Sequence, residues 1–96
     1  MNHYFIANIR IKDHDEYQKY LDKVDEVCQI FKVEYLVVDE SPRILEGDWK
    51  YTKSVLMKFS SKEDFDKWYF STEYQEILRY RLHSADCDSI LVRGLE

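Results

Sequence analysis

Two glycines and one proline are all that 96 residues contain of the residues that build linkers and flexible tails. Neither a linker nor a low-complexity segment is therefore expected, and the chain reads as one domain over residues 1–96. No apolar run approaches the length of a membrane span. The amino end, MNHYFIANIR, carries Arg10 and no long apolar region, so it resembles neither a leader nor an anchor. A cytoplasmic location is the resulting expectation.

Cysteine is scarce as well. Cys28 and Cys87 stand alone, and without an export signal two isolated cysteines are expected to be reduced thiols. His3, His14 and His83 lie far apart, and no Cys or His pair has ligand spacing, so neither metal nor cofactor is expected. His14 and His83 are expected on solvated helix edges. With 14 basic against 19 acidic residues the net charge is -5, and no basic stripe offsets it. That balance disfavours nucleic acid and anionic membranes as partners. No Ser, His, Asp order, nucleophile elbow or phosphate loop points to covalent catalysis or nucleotide binding.

What is plentiful is apolar periodicity. YFIANIRI alternates Phe5, Ala7, Ile9 and Ile11 with Tyr4, Ile6, Asn8 and Arg10, the period of a strand whose first face is the core face. DHDEYQKYLDKVDEVCQIF sets Tyr17, Tyr20, Leu21, Val24, Val27, Cys28 and Phe31 at helical spacing, with Asp13 and Glu16 placed like a capping box. VEYLVV reads as a second strand, the region of Ser41, Pro42 and Gly47 as a turn-rich connection, and KSVLMKF as a third strand, antiparallel to the second, with Val55, Met57 and Phe59 on one face. SSKEDFDKWYF opens a second helical segment with Phe65, Trp68 and Tyr69 on one side. Ser71 is placed to cap its continuation, which carries Tyr74, Ile77, Leu78, Arg81 and Leu82 on one stripe. DSILVRG closes the chain as a final strand.

The order strand, helix, strand, strand, helix, strand matches the split βαβ plan of ferredoxin-like folds: α+β, βαββαβ, with an antiparallel four-stranded sheet and helices on one face. The opposite sheet face is also partly apolar, through Tyr4, Ile6, Leu36, Val38 and Leu56. A second copy of the sheet is the expected cover, so a homodimer is the expected state.

Five stretches carry a resemblance: KDHDEYQKY after the first strand, LEGDW at 45–49, WYFSTEYQ at 68–75, Arg81, and the closing ILVRG. In this order and spacing, over essentially the whole chain, they resemble the uncharacterised bacterial family domain of unknown function 1330, of the dimeric α/β-barrel superfamily. The resemblance implies the ferredoxin-like fold and a dimer whose sheets enclose a barrel. It implies no activity. The chain departs from that family at Lys32 and Val33, where a glycine pair is frequent, at Val38, where an arginine is frequent, and at Thr72, where a proline is frequent.

Arg81 is the sharpest candidate, because a guanidinium within an apolar stripe needs a carboxylate or several other acceptors. It either pairs with Glu46, pinning LEGDW against the last helix, or holds the anionic group of a small ligand with Ser71 or Tyr74 as hydrogen-bonding partners. Gly47 reads as a positive-φ or close-approach position. Glu46 could instead be a general base, a role that conflicts with an arginine partner. Trp49, Trp68, Tyr69 and Tyr74 could wall a planar ligand or serve as core and dimer contacts. Asn8 and Arg10 fall on the face assigned to the barrel interior, where they could meet a partner, water or a substrate. Two functions follow: a homodimeric protein that binds a small anionic or aromatic metabolite in a barrel cleft, or a cofactor-independent enzyme, similar to the superfamily's monooxygenases and isomerases. For the latter only Tyr74, Glu46 and His3 are available as acid or base.

Overall fold

A computed structural model describes residues 1–95. The elements run β1 (His3–Ile11), α1 (His14–Ile30), β2 (Glu34–Asp39), β3 (Lys53–Phe59), α2 (Lys62–Tyr69), α3 (Thr72–Ser84) and β4 (Ala85–Arg93). The four strands form one sheet in the order β2-β3-β1-β4, and each neighbouring pair is antiparallel. This is the ferredoxin-like plan: the crossover from β1 through α1 skips one position, and β3 fills it. No helix among the described residues is long and apolar enough to cross a membrane.

The local signals explain the helix ends. Asp13 caps α1 by accepting from the Glu16 backbone N–H, Ser61 caps α2 through the Asp64 N–H, and Ser71 caps α3 through the Tyr74 N–H. The far end of α1 closes in a Schellman turn. The Val33 N–H bonds the Cys28 carbonyl at 2.9 Å and the Lys32 N–H bonds Gln29 at 3.2 Å. Lys32 sits at the left-handed position, φ 55°, where glycine fits without strain. Lys32→Gly is expected to stabilise the fold by about 1 kcal/mol, readable as a higher denaturant midpoint with an unchanged slope.

The core lies between the sheet and the helices. Phe5, Ala7 and Ile9 of β1 and Val55, Met57 and Phe59 of β3 are buried beneath Tyr17, Tyr20, Val24, Val27 and Cys28 of α1 and Tyr74, Ile77 and Leu78 of α3. An aromatic cluster fills one end: the Trp68 ring lies 4.1 Å from Tyr74, 5.4 Å from Phe59 and 5.9 Å from Phe5. Cys28 and Cys87 are free thiols.

Three readings of the pattern are corrected. Leu82 is 54% exposed rather than part of the buried stripe, which runs Tyr74, Ile77, Leu78, Arg81, Ser84. A seventh-residue step on a 3.6-residue helix keeps Arg81 in line, while its successor turns outward. β4 begins at Ala85, three residues before DSILVRG, because Ala85 through Cys87 continue the ladder against Ile9 to Ile11. Third, a bulge between Tyr35 and Val37 shifts the register of β2, so that Val38 faces Val55 and Val37 faces Leu56. Val38 therefore belongs to the helix side of the sheet, and Val37 replaces it on the outer face.

Candidate functional site

A cavity of about 250 Å³ opens between the sheet and α1, on the helix side. Its floor is Phe5, Ala7, Ile9, Val55 and Met57, which alternate inward along β1 and β3. Tyr17, Tyr20, Leu21 and Val24 of α1 form the roof, Tyr35 and Val38 of the edge strand β2 form the mouth, and Asp25 stands at the rim. This volume falls just under the ~300–1,000 Å³ usual for drug-sized ligands, so it suits a small molecule.

Two cations enter this space, which apart from Asp25 at its rim is apolar and aromatic: Arg81 from α3, 2% exposed, and Lys53 from the start of β3, 6% exposed. Neither makes an ion pair: the salt bridges among the described residues join Lys12 to Asp86 and Lys19 to Glu16 at the surface. The Arg81 guanidinium lies 5.8 Å from the centre of the Tyr20 ring and beside the Cys87 thiol, and its buried Nε–H has no acceptor among the described residues. Lys53 Nζ lies 5.0 Å over the Tyr17 ring. Burial pushes its pKa down, opposed by the more distant Glu40 carboxylate.

The phenols are held neutral. Burial raises the Tyr17 pKa from 10.0 to about 12, against the pull of Arg81. Burial likewise raises Tyr20, Tyr74 and Tyr35. Each contributes stability that is complete below pH 10 and lost as rising pH ionises the unfolded chain first. Lys53 acts in the opposite sense, since its lowered pKa makes stability rise with pH up to its unfolded value of 10.5. The melting temperature is expected to fall steeply between pH 10 and 12, and less steeply in Tyr17→Phe, as followed by circular dichroism.

The residues singled out in the sequence divide among different places. Tyr74 is buried behind the cavity, and its hydroxyl meets that of Tyr20 at 2.8 Å, coupling the roof to the aromatic cluster. Ser71 is occupied at the helix cap, accepting from the Tyr74 N–H and donating to the Trp68 carbonyl at 2.7 Å. Glu46, Gly47 and Trp49 lie on the exposed connection between β2 and β3, with Gly47 at φ 85° and open space where a Cβ would point. Glu46 forms no pair with Arg81 within the described chain. Trp49, 38% exposed, packs edge-on against Tyr51 at 5.1 Å. Asn8 accepts a hydrogen bond from Ser54 at 2.9 Å on the outer face of the sheet, and Arg10 is exposed beyond it, so the cavity and these two residues lie on opposite faces. His3 bonds the Met1 carbonyl, away from the cavity. Lys53 and Tyr17 were not singled out. Lys53 shares the parity of Val55, Met57 and Phe59, and a lysine in phase with a buried strand face is the signal that marks it.

The family described as "Domain of unknown function (DUF1330)" matches residues 2–95. The chain belongs to the DUF1330 family. Solved structures share its fold at low identity. A protein of unknown function from Rhodopseudomonas palustris is 14% identical, with a TM-score of 0.81 over 99% of this chain and 83% of its own. A dimeric ferredoxin-like protein of unknown function from Jannaschia sp. CCS1 is 11% identical, with a TM-score of 0.76 over 98% and 100%. SnoaB from Streptomyces nogalater, a cofactor-independent oxygenase, is 6% identical, with a TM-score of 0.64 over 99% and 94%. Among curated proteins nothing matches this DUF1330 chain.

Proposed function

We propose that the protein is a homodimer that binds a small aromatic organic anion in the cavity between sheet and α1. The observation that carries the reading is Arg81, a guanidinium almost fully withdrawn from water, with no carboxylate partner among the described residues, at the wall of an aromatic cavity. A buried charge left unpaired is costly, and an incoming carboxylate would supply both the countercharge and the acceptors that Arg81 lacks. Thermal-shift titration with benzoate tests it: the midpoint rises with concentration if the folded protein binds the anion, and a flat response to millimolar benzoate refutes the reading.

The dimer rests on the outer sheet face. Tyr4 and Ile6 of β1, Leu56 of β3, Val37 of β2, and Ile90 and Val92 of β4 share one side, and Val37, Ile90 and Val92 are solvent-exposed in the single chain. An apolar sheet face of this extent is suited to packing on a second sheet. The dimeric neighbour from Jannaschia supports the same arrangement. Ile6→Lys places a charge at the centre of this face and is expected to convert the dimer to monomer in sedimentation velocity at micromolar concentration, with the helix side unaffected.

Turnover is the second reading, favoured by the fold shared with the oxygenase SnoaB over nearly the whole chain. The lining phenols can act as bases only once ionised, well above neutral pH, so Lys53, whose pKa burial lowers, and the Asp25 carboxylate at the rim are the groups available for proton transfer. Consumption of oxygen on adding an enolisable aromatic substrate would favour it over binding alone.

A further inference from the structure

Arg81 alone leaves one cavity group unexplained. Lys53 costs desolvation where it stands, and a structural lysine would have a carboxylate against it. Its neighbours are the Tyr17 ring and Glu40, which acts on it without forming an ion pair. Lys53 also stands where the main cavity meets a second groove, lined by Ile11, His14, Gln18, Glu40 and Thr52, with Tyr17, Leu21 and Lys53 common to both. The path between the two cations passes Tyr20 and Tyr17, whose ring centres are 5.7 Å apart.

We propose that Lys53 is a specificity-determining residue for a ligand with two anionic groups, one held by Arg81 inside the cavity and the other by Lys53 at its junction with the groove. The planar body between them lies along the Tyr17 and Tyr20 rings and the Val55 and Met57 floor. The substrate class is thus an aromatic or similarly flat dicarboxylate, or a carboxylate with a second acidic group across the ring. This rests on the binding reading given above and goes beyond it, because a monoanion would satisfy Arg81 and leave Lys53 with the through-space pull of Glu40 but no anion in direct contact. A guanidinium suits the inner position, where a planar fork can meet a carboxylate edge-on, and a flexible ammonium suits the junction, where the second group need not be fixed at one distance.

Isothermal titration of the full chain with benzoate, isophthalate and terephthalate tests the proposal, the two dicarboxylates setting their charges at two spacings. At least one dicarboxylate is expected to bind tenfold or more tightly than benzoate. In Lys53→Met the ratio of dicarboxylate to benzoate affinity falls to within twofold of unity, and in Lys53→Arg the preference survives. Lys53→Gln, which keeps a polar side chain without its charge, should behave as Lys53→Met does and stands in for it if the methionine variant does not fold. Equal binding of benzoate and both dicarboxylates, or a preference that persists without the Lys53 charge, overturns this inference alone. Binding of none of the three overturns it together with the reading beneath it.

Discussion

Arg81→Met is expected to weaken benzoate binding by on the order of 100-fold while leaving the melting temperature unchanged or higher, an unusual pairing for a change at a residue 2% exposed. Loss of a charge-assisted, partly desolvated contact typically costs about 2–5 kcal/mol, which sets the affinity change. Stability moves the other way because of what surrounds the guanidinium. Its neighbours are the Tyr20 ring and the Cys87 thiol, and Glu46 is on the exposed connection rather than against it. Removing one member of a buried ion pair would strand the other, but no carboxylate among the described residues is paired with Arg81 to be stranded. Methionine fills similar volume without needing acceptors. Thermal melts and benzoate titrations on the same sample separate the effects. A fall of 10 °C or more with binding intact would show that Arg81 is an architectural group.

Trp68→Ala should have the largest effect on the fold. The indole is 0% exposed and lies within 6.0 Å, centre to centre, of Phe5, Phe59, Phe65, Tyr69 and Tyr74. Truncating a buried tryptophan costs about 3–5 kcal/mol, and in a domain of this size that corresponds to roughly 15–30 °C in melting temperature. The total stability of such a domain is on the order of 5–15 kcal/mol, so the variant sits close to unfolding at room temperature. Trp68→Phe should lose far less. The indole Nε1–H has no hydrogen-bond partner among the described residues beyond the neighbouring Cys28 thiol, a weak acceptor, so phenylalanine gives up packing but little polar contact. A drop below 5 °C for Trp68→Ala would mean that the cluster collapses around the gap.

The element order, the caps at Asp13 and Ser71 and the core face of β1 were legible because each depends on residues adjacent in sequence. Arg81 was legible as a buried cation for the same reason: helical spacing alone puts it beside Leu78 and Ile77. Its surroundings were not legible. Which acid approaches a helix from a loop 35 residues earlier is decided by where that loop goes, and the connection carrying Glu46 stays exposed. Lys53 was missed for a related reason. A lysine at a strand's first position reads as a solvated end, and it is the packing of α1 over the sheet, with the Tyr17 ring above Lys53, that covers it. Val38 was assigned to the wrong face because strict alternation assumes no bulge, and YLVV contains no glycine or proline to announce one.

That bulge has a consequence for how the two surfaces of the sheet can change over time. Leu36, the extra residue, moves Val38 to the cavity mouth and gives the outer face Val37 instead. A slip of the strand that paired Leu36 with Leu56 would remove the bulge and exchange the two valines, altering the proposed ligand site and the proposed subunit contact in a single step. Point substitutions elsewhere on β2 can tune either surface separately. The edge strand is therefore the place where the two proposed surfaces are linked through register, and deletion of Leu36, which takes out the bulge and keeps Val37 on Leu56 and Val38 on Val55, would be expected to leave both valines on their present sides.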